Sequence, residues 1–178
     1  GIVSRLVGHK GVDLMKEVLE KSLYERNIQY VVLGSGEWEY ENFFRYLHDK
    51  YPDKVGITIG FVPDLARKIY AGADLFLMPS KSEPCGLSQM VALRYGTLPI
   101  VRETGGLKDS ITDCGDGHGN GFTFKTYDAY DMLGAIYRGV DAYNSKDWKV
   151  LVKRALECDM SWGKSANEYI KMYRSLLK

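Results

Sequence analysis

Glu83-Pro84-Cys85-Gly86-Leu87-Ser88-Gln89-Met90 follows an apolar run, residues 75–78, and leads into an amphipathic stretch, residues 88–95. The apolar run reads as a buried strand and the stretch after the loop as a helix. A carboxylate, a glycine and a hydroxyl therefore sit where a strand hands over to a helix. In a parallel α/β sheet ligands bind in the crevice beyond the carboxyl ends of the strands. A helix beginning near Leu87 or Ser88 would aim unpaired N–H groups at that crevice, which suits an anionic ligand such as a diphosphate. Gly86 would let the ligand come close to the backbone.

Working outward, short β-branched runs alternate with helical periodicity along the whole chain. Strands are expected at 2–4, 30–33, 55–59, 75–78, 98–101 and 122–124. Helices are expected at 12–25, 38–50, from Pro63, at 88–95, 129–144, 146–158 and 161–177. Proline at the first turn of a helix supports the start at Pro63. Repeated strand–helix units imply an α/β fold, a doubly wound Rossmann-like parallel sheet with right-handed crossovers.

The 178 residues suffice for one domain with a full core. A composition of 45% hydrophobic and 26% charged residues is that of a globular protein. A net charge of +1 gives no general electrostatic case for nucleic acid or an anionic membrane. No stretch approaches the roughly 20 apolar residues of a membrane span. Three cysteines without a C-x-x-C pair fit a reduced, cytoplasmic setting. Gly1-Ile2-Val3-Ser4 already reads as a core strand running into a loop, so the expectation is a domain excised from a longer chain.

Three strand-end loops would meet at one edge of the sheet. Arg5 and Lys10 follow the first strand and are either phosphate ligands or ordinary surface cations. Gly34-Ser35-Gly36 lacks the third glycine of a dinucleotide fingerprint, since Glu39 stands there, and a strand and helix already precede it. It reads as a tight turn near a ligand. Glu83 could act on a substrate hydroxyl or cap the local turn. Cys85 has no neighbouring base and reads as a small structural cysteine. Cys114, Asp116 and His118 match neither a zinc nor a calcium spacing and read as a flexible glycine-rich loop. His9 and His48 read as surface residues.

Ser4-Arg5-Leu6, Lys10-Gly11, the 83–90 segment, Arg94-Tyr95-Gly96-Thr97-Leu98-Pro99 and Arg102-Glu103-Thr104-Gly105-Gly106-Leu107 occur in this order. Together they resemble the C-terminal, donor-binding half of bacterial glycogen synthases and plant starch synthases. Ser161-Trp162 and residues 169–173 extend the resemblance to the last helix. It implies a retaining glucosyltransferase of the two-domain GT-B architecture, with no metal or cofactor. ADP-glucose would be the donor and the non-reducing end of an α-1,4-glucan the acceptor. Residues 1–178 would then be a single nucleotide-sugar-binding domain, its N-terminal acceptor partner absent, and inactive alone.

Carried over by position, Arg5 and Lys10 would hold the diphosphate, and Glu83 a donor-glucose hydroxyl. The backbone around Cys85, Gly86 and Leu87, with the Ser88 hydroxyl, would bind sugar and phosphates. Phe61 would stack on the base, with phenylalanine where the family often has tyrosine. Many GT-B relatives place a second glutamate eight residues after the first to grip the ribose. Here that position is Val91, which leaves ribose recognition unassigned. The last helix is expected to lean towards the missing domain. The competing readings are a nucleotide-sugar-binding module without turnover, and another GT-B enzyme such as a sucrose-type synthase.

Overall fold

The structure, a computed structural model, describes residues 1–177, with the side chain of Asp116 outside that description. The described residues form six strands in two parallel ladders. β1 (Ile2–Val3), β2 (Tyr30–Gly34) and β3 (Val55–Ile59) pair in that order. β4 (Leu75–Met78), β5 (Leu98–Arg102) and β6 (Phe122–Phe124) form the second ladder. The ladders meet at β1 and β4. The Leu77 N–H donates to the Gly1 carbonyl at 3.0 Å, and the Gly1 nitrogen donates to the Leu75 carbonyl at 2.7 Å.

The strand order is therefore β3-β2-β1-β4-β5-β6, with its reversal between β1 and β4. Chain leaving these two neighbours departs in opposite directions, which opens a crevice beyond their carboxyl ends. β5 is buried at four of its five positions, as expected of a parallel strand covered on both faces.

Among the described residues seven of the eight α-helices flank the sheet. α1 (Val12–Glu25), α2 (Trp38–Lys50) and α6 (Ala129–Tyr143) form one layer, with α1 packed against both others. α3 (Pro63–Gly72), α4 (Ser88–Arg94), α5 (Gly105–Ser110) and α7 (Trp148–Leu156) form the other, with α4 touching each of the rest. α1 buries Val12, Leu14, Met15, Val18, Leu19, Ser22 and Leu23, one stripe at helical spacing. The buried Ser22 hydroxyl donates to the Leu19 carbonyl at 2.6 Å and lies 2.7 Å from the Tyr30 hydroxyl. α8 (Trp162–Leu176) buries no residue and stands clear of this core.

The bounds of α1, α2, β3, β4 and β6 and the start of α3 are those expected from periodicity, and the other anticipated elements differ by at most two residues at either end. α5 was not anticipated, because Gly105-Gly106 is a poor helix start by propensity. It forms because the Gly106 N–H donates to the Glu83 and Pro84 carbonyls, at 3.1 and 3.2 Å. A Cβ on Gly106 would lie 2.0 Å from the Cys85 carbonyl oxygen, so only glycine permits that approach. His48 also departs from the surface reading. It is half-buried with Nδ1 2.6 Å from the Val55 carbonyl, tying α2 to β3.

The glycine-rich segment 114–121 hangs on Asp113. This carboxylate accepts from the Gly115 N–H at 2.8 Å, the Thr123 N–H at 2.7 Å and Arg138 at 3.0 Å. Partial burial pushes its pKa up, but the two backbone donors and Arg138 outweigh it and hold the pKa below the usual value. A depressed carboxylate adds stability above its unfolded pKa of about 3.9, and loses it as pH falls through the lower folded value. Asp113→Asn should therefore lower stability at neutral pH by about 1 kcal/mol. The gap from wild type should be constant above about pH 5 and shrink below about pH 4. Urea unfolding across that range tests this, and a gap that widens in acid would contradict it.

Candidate functional site

The crevice between the β1 and β4 ends is a cleft of about 340 Å³. Ser4, Arg5 and Lys10 line it from the β1 side. Ser80, Glu83, Gly86, Leu87 and Ser88 line it from the β4 side. A second hollow of about 220 Å³ shares Val3, Ser4, Arg5 and Ser88 and continues past Gly34 and Ser35 to Phe61. The two make one elongated crevice along the carboxyl edge of the sheet. A hollow of about 430 Å³ at the amino edge includes Asn27, Gln29 and Asp74 in its lining, but no Lys, Arg or His. It offers little for an anionic ligand.

Lys10 and Glu83 meet across the cleft. Nζ lies 2.5 Å from Oε2, with the side chains only 20% and 12% exposed, and the Ser80 hydroxyl donates to the same carboxylate oxygen at 3.2 Å. The turn Gly8–Lys10 that presents the lysine ends on Gly11, at φ 78°. A Cβ there would lie 2.2 Å from the Pro79 carbonyl oxygen, so the turn sits directly on the β4 loop. The Lys81 N–H also donates to the His9 carbonyl at 2.9 Å.

Two residues given no site role by the sequence, Arg102 on β5 and Tyr127 just after β6, brace this junction. Arg102 donates through Nε to the Ser80 carbonyl at 3.0 Å and through its other arm to the Lys81 carbonyl. The Tyr127 hydroxyl lies 2.6 Å from the Asp13 carboxylate and 3.2 Å from the Gly8 carbonyl. Lys81 and Arg102 lie over its ring, at 5.4 and 5.7 Å from the centroid. Burial, with the Asp13 carboxylate beside it, pushes the Tyr127 pKa up. These partners are 114 and 119 positions away in sequence, and no local pattern marks them.

Of the sequence candidates, Arg5, Lys10, Glu83, Gly86, Leu87 and Ser88 converge on the cleft. Arg5 is exposed, with a guanidinium nitrogen 3.3 Å from His9 Nε2. Ser88 Oγ accepts from the Tyr70 hydroxyl at 3.0 Å. Phe61 lies at the far end of the crevice with 89% of its surface exposed. Cys85 is exposed and does not line the cleft. Gly34 and Gly36 have a packing reason, since a Cβ would meet the Ser4 and Leu6 carbonyl oxygens at 2.0 and 2.1 Å. Among the described residues no group of three or more His, Cys, Asp and Glu could hold a metal ion.

A doubly wound parallel sheet with a crevice at its switch point, lined by Arg5, Lys10 and Glu83, defines a Rossmann-like α/β domain. Residues 1–147 match the glycosyl transferases group 1, and the chain belongs to that family. It is 49% identical over 180 residues to a glycogen synthase of Bacillus cereus, covering 99% of this chain and 38% of that protein. It is 51% identical over 178 residues to a glycogen synthase of Fervidobacterium nodosum, covering 98% and 36%. The catalytic domain of starch synthase IV from Arabidopsis thaliana, bound to ADP and acarbose, superposes with a TM-score of 0.87. That domain is 38% identical, covering all of this chain and 38% of that one. The fold is thus the GT-B Rossmann-like fold, and the chain spans less than two-fifths of the length of these relatives.

Gly11→Ala tests the seating of the Lys10 turn. It combines a left-handed φ with a backbone collision, so it should destabilise by roughly 1–3 kcal/mol. The urea midpoint should fall with the slope unchanged. An unchanged midpoint would show that the turn does not rest on Pro79.

Proposed function

We propose that this chain is the donor-binding part of a retaining glucosyltransferase. The enzyme would transfer glucose from ADP-glucose, or another nucleotide-glucose, to the non-reducing end of an α-1,4-glucan in a cytoplasmic setting. The observation that carries the reading is the Lys10–Glu83 pair at the switch point, flanked by Arg5 and by Gly86, Leu87 and Ser88. Identity near 50% with glycogen synthases supports the substrate class. ADP in the starch synthase structure supports the base. Among the described residues no helix is long and apolar enough to cross a membrane.

In this reading the base stacks on Phe61, and the diphosphate runs along the shared Ser4–Arg5 wall to Lys10. Glu83 accepts a hydroxyl of the donor glucose. When the bond between the sugar and the phosphate oxygen breaks, its electron pair goes to the departing diphosphate. Arg5 and Lys10 meet that charge where it develops, the arrangement that lowers a barrier most. The acceptor hydroxyl must be held against the sugar carbon, and positioning of that kind supplies much of the rate. We place the groups that hold it in the additional length of the relatives, so the 178-residue chain alone should bind nucleotide weakly and elongate no glucan.

Arg5→Ala and Lys10→Ala in the full-length polypeptide should each lower turnover by orders of magnitude, since losing charge stabilisation in such sites costs about 3 kcal/mol or more. Turnover within about threefold of wild type for both would sink the assignment. Phe61→Ala should weaken ADP about tenfold, a scale borrowed from aromatic–base stacking, without moving the unfolding midpoint. The ring is too exposed for its loss to cost packing. ADP binding without glucose transfer by the full-length polypeptide would instead make it a binding module.

A further inference from the structure

Gln89 stands in the opening motif, yet no ligand-binding or catalytic role has fallen to it. Its side chain is fully buried. The amide nitrogen lies 3.3 Å from the Cys85 carbonyl, 3.0 Å from the Gly86 carbonyl and 3.0 Å from the Ser110 hydroxyl. That hydroxyl in turn donates to the Gly106 carbonyl at 2.6 Å. The amide oxygen Oε1 has no hydrogen-bond partner. It occupies the space that Gly86 leaves by lacking a side chain, since a Cβ there would lie 2.6 Å away. Flipping the amide would set Oε1 against two carbonyl oxygens, so the orientation is determined. An unpaired buried oxygen costs stability, and an apolar side chain of similar volume would avoid it.

A trans peptide is planar, with its C=O and the following N–H pointing in opposite directions. Drawing the Cys85 and Gly86 carbonyls inward therefore turns the Gly86 and Leu87 N–H groups outward, on two residues that line the cleft. Neither N–H has an acceptor among the described residues. Gly86 has φ 71° and Leu87 φ −115°, ψ −32°. A left-handed residue followed by a right-handed one makes successive N–H groups converge on an anion.

We propose that Gln89 is a positioning residue. Its amide sets two peptide planes so that the Gly86 and Leu87 N–H groups face the diphosphate beside Lys10. The assignment rests on the nucleotide-sugar reading above and adds to it how the backbone donors are aimed.

The test uses the full-length polypeptide, titrated calorimetrically with ADP and with adenosine, alongside thermal unfolding. Gln89→Met keeps the volume and removes both donors, and Gln89→Glu presents oxygens to the two carbonyls. Both should weaken ADP by about tenfold or more while leaving adenosine within about twofold, because only the diphosphate meets the re-aimed groups. Gln89→Met should also keep its unfolding midpoint within about 2 °C of wild type. ADP affinity within about twofold of wild type in both variants, with wild type binding ADP, overturns the role of Gln89 and leaves the function standing. Equal losses for ADP and adenosine would mean a general collapse of the site, and also overturn it. A wild-type protein that ignores ADP overturns the function, and this role with it. If neither Gln89 variant folds, Ser110→Ala decides, since it removes one acceptor of the Gln89 amide. It should weaken ADP severalfold, and unchanged ADP affinity overturns the proposal.

Discussion

Lys10 and Glu83 come from loops that leave adjacent strands in opposite directions, and the contact between them is the constraint on which the rest of the site depends. A partly buried ion pair contributes little net stability, because desolvation offsets most of its Coulomb energy. Its worth is geometric. The pair can form only if the Gly8–Lys10 turn sits against Pro79, which requires glycine at 11, and only if the 80–83 loop is held from behind. Arg102 holds that loop by two carbonyls, and Tyr127 holds the turn through Gly8 and Asp13. Strand ends from β1, β4, β5 and β6 thus converge on a single contact.

The same accounting of backbone groups explains why the opening motif contains the residues it does. The carbonyls of Glu83 and Pro84 accept from Gly106, and those of Cys85 and Gly86 from Gln89. These four carbonyls are therefore drawn towards the protein, and the Gly86 and Leu87 N–H groups, on residues that line the cleft, have no acceptor among the described residues. Glycine at 86 and 106 is a steric requirement of that arrangement, because a side chain at either would strike Gln89 or the Cys85 backbone. The short helix α5, improbable by propensity, is anchored to this turn by the Gly106 donor.

Much of the fold was legible because it rests on periodicity, which is local. α1 and α2 carry one buried stripe each, and β3 to β5 are apolar runs bounded by turn residues. The strand-end loops were legible as the place for a site, since a doubly wound sheet allows few others. What could not be read was the set of contacts that couple distant loops. Glu83 as partner of Lys10 joins positions 73 apart, and Tyr127 reaches Gly8 across 119. His48 looked like a surface residue because its carbonyl partner lies on the next strand rather than on its own helix. The one local signal passed over was Gln89, a long polar side chain on the inward face of an amphipathic helix. Such a residue needs a partner wherever it is buried.

The crevice is stiff at one end and open at the other, and this difference bears on how it would work. Lys10 and Glu83 are mostly buried and braced on several sides, whereas Arg5 and Phe61 face solvent. Two unit charges 4 Å apart attract by about 1 kcal/mol in water and by about 4 kcal/mol at the effective dielectric near a protein surface. An exposed arginine beside a diphosphate therefore gains most of its effect only when something covers it. Tightening Arg5 against His9 would not supply that cover, because both lie at the rim. A second wall across the crevice would, by excluding water from Arg5 and Phe61 together while leaving the pre-set Lys10–Glu83 end unchanged. Under the proposed function, the mostly buried Lys10–Glu83 end would hold its geometry with or without a second wall, whereas Arg5 would gain its electrostatic strength only beneath one.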